Sequence, residues 1–126
     1  MEEFSYRATQ PIVLNGAHDI TICDCSISGG TATCINLVNC YNIHITQCQL
    51  LDSEKPAVSL TECADIIIDN CYVANVSDGI RSLNGINIQV RNNRMRQLGP
   101  KGIMVAFENA GAYAGYASSS VNNILE

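Results

Sequence analysis

Asp78, Arg81 and Lys101 are the residues whose types and spacing could do chemistry. They would supply a carboxylate, a rigid guanidinium fork and a compact ammonium charge. Brought together, such groups can orient and neutralise an anionic ligand. With a second carboxylate they could also cleave a glycosidic bond, because hydrolysis takes two acids at a set separation. Asn36 and Ser59 would add neutral hydrogen-bonding groups if the fold places them on the same face. The seven cysteines invite a different question. A metal centre wants close ligand spacing, as in C-x-x-C, and only Cys23-x-Cys25 comes near. The cysteines are therefore expected as reduced, buried small hydrophobes, with no metal and no cofactor. His18 and His44 are expected on the surface, without a carboxylate or cysteine at catalytic spacing.

A repeat dictates the elements that must position these groups. Ile20, Ile43, Ile66 and Ile88 follow one another at steps of 23, 23 and 22 residues. Ile22, Ile45, Ile68 and Val90 keep the same steps, as do Cys25, Cys48, Cys71 and Asn93. A further column reads Ile12, Ile35, Val58, Ile80 and Ile103, with Leu14, Leu37, Leu60, Ser82 and Val105 two residues along. Within each unit the alternation has the period of a strand, so that two isoleucines two apart share a face. Three short strands and three corners per unit predict one coil of a parallel β-helix. Strands of successive coils then pair about 4.8 Å apart and like side chains stack. Cysteine recurs because a small buried side chain suits a tight corner. The corner column Asp19, Asn42, Asp65, Asn87 is expected to satisfy turn backbone through its side chains.

At 126 residues the chain is one domain, and its 47% apolar content suits a packed core rather than disorder. No apolar run approaches the roughly 18 residues that cross a bilayer as a helix, and the acidic N-terminal stretch does not read as a signal peptide. The net charge of −5 argues against nucleic acid as a general partner. Arg81, Arg91, Arg94, Arg96 and Lys101 nevertheless form a basic band in the second half of the chain. That band suits an anionic ligand.

The segment Asn75-Val76-Ser77-Asp78-Gly79-Ile80, followed by Asn87-Ile88-Gln89-Val90-Arg91-Asn92-Asn93, resembles right-handed parallel β-helix proteins of the pectin-lyase-like superfamily. The likeness is closest to polygalacturonases, where an N-T-D-G-I segment opens a strand. It covers residues 12 to about 107 as a repeat pattern, but only Ser77-Asp78-Gly79-Ile80 as a catalytic motif. Where that family places paired carboxylates in the next coil, this chain has Lys101, and no H-G or R-I-K segment follows. The resemblance and the crossover preference together imply an all-β, right-handed parallel β-helix, a solenoid of about five coils with a repeat of 22 or 23 residues. It implies a working face on the stack Ile12–Leu14, Ile35–Leu37, Val58–Leu60, Ile80–Ser82 and Ile103–Val105. The outward row of that stack reads Val13, Asn36, Ser59, Arg81, Met104, and Lys101 is expected beside Asp78 on the next coil. Asp78, Arg81 and Lys101 are then the candidate catalytic residues. Asn36, Ser59, Arg81 and Lys101 are the candidate ligand-binding residues, and an acidic polysaccharide is the implied partner. The family also implies a secreted or extracytoplasmic setting and, as an enzyme, a lyase, epimerase or glycoside hydrolase. A non-catalytic structural or adhesion β-helix is the alternative.

Residues 12–107 are expected as the repeat core and 108–120 as a loop insertion. Residues 121–126 would begin a further coil, with Ile124 in the role of Ile88. The first ten residues would form a short cap. A coil left open at its end exposes unpaired strand edges, so the chain is expected either to be a piece of a longer β-helix or to associate end to end.

Overall fold

The computed structural model describes residues 2–5, 10–108 and 117–126. Three parallel sheets run the length of the molecule and every connection passes from one sheet to the next. The first sheet holds β1 (Glu2–Ser5), β3 (His18–Cys23), β6 (Tyr41–Thr46), β9 (Ala64–Asp69), β12 (Ile86–Arg91) and β15 (Ser119–Val121). The second holds β4 (Ser26–Gly30), β7 (Gln49–Ser53), β10 (Tyr72–Val76), β13 (Arg94–Leu98) and β16 (Ile124–Leu125). The third holds β2 (Ile12–Asn15), β5 (Ile35–Val38), β8 (Val58–Thr61), β11 (Ile80–Leu83) and β14 (Val105–Glu108). Successive triplets of strands are the coils of a parallel β-helix, as the repeat requires.

The register follows the sequence columns through four coils. Ile20 pairs with Ile43, Ile43 with Ile66, and Ile66 with Ile88. Their inward side chains form the core, with Ile22, Ile45, Ile68, Leu50 and Val73 wholly inaccessible. Each such burial is worth about 1.5–3 kcal/mol against leaving the side chain in water. The corners use left-handed backbone. Sixteen described non-glycine residues have positive φ, near 52–58°, and most are Asn or Asp, the types that tolerate this region. Asp19, Asn42, Asp65, Asn87 and Ala117 form one such column. Side chains of this column bond one another: Asn42 Nδ2 donates to Asp19, and Asn87 Nδ2 donates to Asp65 at 2.9 Å. Asn75 donates likewise to Asp52 at another corner. Amide and carboxylate alternate along the stack, which avoids setting like charges one coil apart.

None of the seven cysteines is in a disulfide. The thiols of Cys40, Cys48, Cys63 and Cys71 each point at a carbonyl oxygen of the preceding coil, 3.4–3.9 Å away. A thiol is small enough for the corner and still offers a weak donor to a buried acceptor. Where the column passes to Asn93, the polar side chain is fully satisfied: its amide donates to Ile68 O at 3.1 Å and to Asn123 Oδ1 at 2.9 Å. Gly85 replaces cysteine in the neighbouring column for lack of room, since a Cβ there would lie 2.3 Å from Ser82 Oγ.

The structure departs from the expected register beyond the fourth coil. Ile80 pairs with Val105 and Ser82 with Phe107, so the strand expected at Ile103–Val105 lies two residues later. The extra residues sit in a turn closed by a hydrogen bond from Gly102 N to Gly99 O, at 2.8 Å. Ile103 and Val105 are both apolar and two apart, so a shift of two keeps the alternation and leaves no trace in the pattern. Ile124 pairs with Arg94 instead of taking the role of Ile88, which Ser118 fills by accepting the Ile88 amide. β15 thus begins inside the stretch expected to be an insertion. At the other end, β1 extends the first sheet by pairing with β3. Residues 6–9 of the expected cap and residues 109–116 of the expected insertion lie outside the described residues.

Two outcomes test this account. The Asn42 amide, with a smaller contribution from His18, holds the Asp19 carboxyl below its ordinary 3.8. Asn42→Ala should return that titration toward 3.8, read by carboxyl NMR. Because the folded-state value is the depressed one, the contact favours folding above pH 3.8 and is lost as pH falls through the lower value. Burial pushes the Cys34 thiol up to about 11, whereas Cys23 is only half-buried. Alkylation of the native protein should therefore label Cys23 first and spare Cys34. All seven should label after denaturation, by mass spectrometry.

Candidate functional site

The outward row of the third sheet brings Asn36, Ser59 and Arg81 into register on successive coils. All three are partly exposed. The row continues to Ala106, not Met104, because of the shift at Gly99–Gly102. The same shift alters the partners of Asp78. Its Oδ2 accepts a hydrogen bond from Arg81 Nη1 at 3.1 Å, three residues along its own chain. Arg81 Nη2 forms an ion pair with Glu108 Oε1, at the end of β14. Sequence spacing had offered Lys101 as the neighbour of Asp78. Lys101 sits exposed on the inserted turn, where it lines a depression together with Asp78 but makes no ion pair with it or with any other described residue.

The local backbone explains why Asp78 and Arg81 are so placed. Asp78 precedes Gly79, where a Cβ would stand 2.2 Å from Met104 O and 2.6 Å from Met95 Sδ. The glycine of Ser77-Asp78-Gly79-Ile80 is thus required by close approach of the next coil. That approach leaves the Asp78 carboxylate 15% exposed at the lip of β11.

Arg81 separates two open depressions. One, of about 360 Å³, is lined by Ser77, Asp78, Arg81, Pro100, Lys101 and Ile103. The other, of about 350 Å³, includes Pro56, Ser59, Thr61, Leu83 and Glu108. Asp78, Arg81, Glu108 and Lys101 sum to zero charge, and Lys101 is the member without a counterion. Such a cluster can bind an anionic group at Lys101 and offer it the Arg81 fork by exchange with Glu108. As a hydrolytic pair, Asp78 and Glu108 are the two available acids, and both already accept from Arg81.

The Asp69–Arg91 neighbourhood follows from the row the two share, but the part His44 takes in it and the stacking of His18 on Tyr41 escaped the sequence. His44 Nε2 lies 2.8 Å from Asp69 Oδ1, and Arg91 Nε lies 4.0 Å from the other oxygen of that carboxylate. His44 was expected to have no such partner. Asp69 follows it by one coil and two residues, the diagonal neighbour on a sheet face, and that interval of 25 was the available signal. His18 and Tyr41 stack at 4.8 Å between centroids with 7° between planes. Arg94 pairs in register with Tyr72, but its guanidinium engages Glu126. No group of residues able to hold a metal ion occurs among the described residues.

A double-mutant cycle checks the corrected pairing. Asp78 and Arg81 should couple by at most about 1 kcal/mol in urea unfolding, as a partly exposed pair does. Asp78 and Lys101 should show no coupling.

Comparison with known proteins agrees with the architecture. A family model described as a right handed beta helix region matches residues 2–124. No curated protein matches the chain. Among solved structures, it is similar to the enzymatically active domain of bacteriophage CBA120 tailspike protein 2. That match has a TM-score of 0.63 at 13% identity over 92% of this chain and 20% of that one. It is also similar to full-length tailspike protein 2 from an Escherichia coli O157:H7 bacteriophage, with a TM-score of 0.66 at 15% identity, over 91% of this chain and 16% of the other. The chain spans a fifth or less of either tailspike, and at these identities the likeness is one of fold.

Proposed function

Because the chain belongs to the right-handed β-helix family, with its interior committed to packing and its outward strand faces left for function, we propose that it is a glycan-contacting module that seats an acidic, uronate-containing saccharide at Arg81 and Lys101. The observation that carries this reading is Lys101. It is an exposed cation without an ion partner among the described residues, on the rim of the depression it shares with Asp78 and Arg81. A carboxylate seated there gains the Lys101 charge and competes with Glu108 for the guanidinium. Asn36 and Ser59 then face the uncharged hydroxyls further along the row. A β-helix domain of a tailspike described as enzymatically active is among the structural neighbours, so the scaffold is compatible with chemistry on its surface.

The geometry favours holding a glycan over cleaving one. General acid catalysis needs a carboxyl with a proton to give. Asp78 and Glu108 instead both serve as acceptors to one arginine. A structural module with no glycan affinity is the second reading. It is favoured by that saturation of Arg81, which is how a purely solvated surface network would look.

Polygalacturonate, alginate and a neutral glucan, titrated calorimetrically with reducing ends and ultraviolet absorbance followed in parallel, separate these. The uronates should bind more tightly than the glucan, with an affinity that falls as salt rises. Lys101→Ala and Arg81→Ala should each weaken binding about tenfold, the scale of one charge-assisted hydrogen bond. Equal binding to the neutral glucan, or none to any of the three, overturns the proposal.

A further inference from the structure

Arg81 is held by two carboxylates that are not equally easy to displace. Asp78 lies three residues back on the same coil, with its side chain 15% exposed, and accepts from Nη1 at 3.1 Å. The Met104 carbonyl closes over Gly79 immediately after it. Asp78 is therefore placed by the local chain. Glu108 comes from the next coil, pairs with Nη2 and is 42% exposed at the last position of β14. Its backbone is fixed by the pairing with Leu83 and by a 3.0 Å hydrogen bond from Asn84 N to Glu108 O. Among the described residues, its carboxylate has Arg81 as its ion-pair partner.

The two acids also stand on opposite sides of the guanidinium. Asp78 lines the depression that holds Lys101, whereas Glu108 lines the one that holds Ser59 and Thr61, and Arg81 is common to both. An arginine fork presents its donors in a fixed plane, so a carboxylate on one edge must leave before another takes that edge. A neutral hydroxyl gains too little to displace Glu108, because a hydrogen bond between charged groups is about twice as strong as a neutral one. A ligand carboxylate replaces like with like.

We propose that Glu108 is the specificity-determining residue of this surface: it holds the place of a ligand carboxylate and makes binding an exchange of one carboxylate for another on Arg81 Nη2. The proposal rests on the glycan reading above and adds which partner of Arg81 gives way. Asp78 stays and positions the guanidinium. Withdrawal of Glu108 vacates the Ser59 side, so that a ligand on Arg81 reaches from Lys101 to the hydroxyls of Ser59 and Thr61.

Glu108→Gln keeps the size of the side chain and removes its charge, and calorimetric titration with oligogalacturonides reads the exchange directly. Binding should tighten about tenfold, the scale of one charge-assisted hydrogen bond that no longer has to be broken. Its salt dependence should steepen, because the wild type trades one ion pair for another whereas the variant forms one outright. In an Arg81→Ala background the same change should have an effect within about twofold, since the coupling runs through the guanidinium. Asp24→Asn removes one charge from an exposed left-handed corner of the first coil, where asparagine is at home. It should stay within about twofold of wild type, being screened from the site. Thermal unfolding in parallel should leave every variant folded. An unchanged or weaker affinity of Glu108→Gln, or a gain that persists without Arg81, overturns the exchange. The glycan reading still stands in that case if Lys101→Ala and Arg81→Ala weaken binding. Failure of both the wild type and Glu108→Gln to bind any oligogalacturonide overturns both.

Discussion

Every coil of this protein hydrogen-bonds to the coils before and after it, and that single requirement governs what may stand at each position. Equivalent residues are held one strand spacing apart, so each column must tolerate its own kind as a neighbour. Isoleucine on isoleucine does so by packing. Cysteine does so because its thiol turns to the carbonyl of the coil below. Carboxylates do not, and the corners answer by interleaving amides, as in Asp19, Asn42, Asp65 and Asn87. The same residues meet a second demand. A corner within one or two residues needs left-handed backbone, and asparagine and aspartate accept it at little cost.

Much of this was legible because columns repeat. Four coils, their inward residues and the buried cysteines at their corners all follow from matching side chains at a fixed interval. The errors of register have one physical source. Alternation along a strand has period two, so it fixes which face a residue is on but not which of two alternate positions pairs with the coil below. Ile103 and Val105 fit the inward column equally well, and the turn at Gly99–Gly102 decides for Val105. Lys101 was put in register with Asp78 by that same ambiguity, and Met104 was put after Arg81. The His44–Asp69 contact was missed for a different reason. Columns compare like positions, whereas that pair is diagonal.

The candidate site inherits the merits and the limits of the scaffold. Asn36, Ser59 and Arg81 lie in one line because β5, β8 and β11 are in register, so their spacing is set by backbone and not by side-chain packing. Relief must come from side-chain size, since a sheet face is otherwise flat. That relief is found beside Arg81, where Ser59 and Thr61 line an open depression. Charge is concentrated in the loops instead, with Asp78 held at the lip of β11 by its glycine and Lys101 carried on the inserted turn.

The two-residue lengthening at Gly99–Gly102 has a consequence for how such a surface diversifies. An insertion of even length slides the following strand without turning it over, so the interior keeps its apolar ladder while the outside is dealt a new set of neighbours. Here the slide seats Ala106 beside Arg81 and brings Glu108 within its reach. Mutation at a corner can therefore recombine existing side chains into new constellations at no cost to the core. A lineage of β-helices could explore binding faces in steps of two residues without substituting a single residue on the face itself.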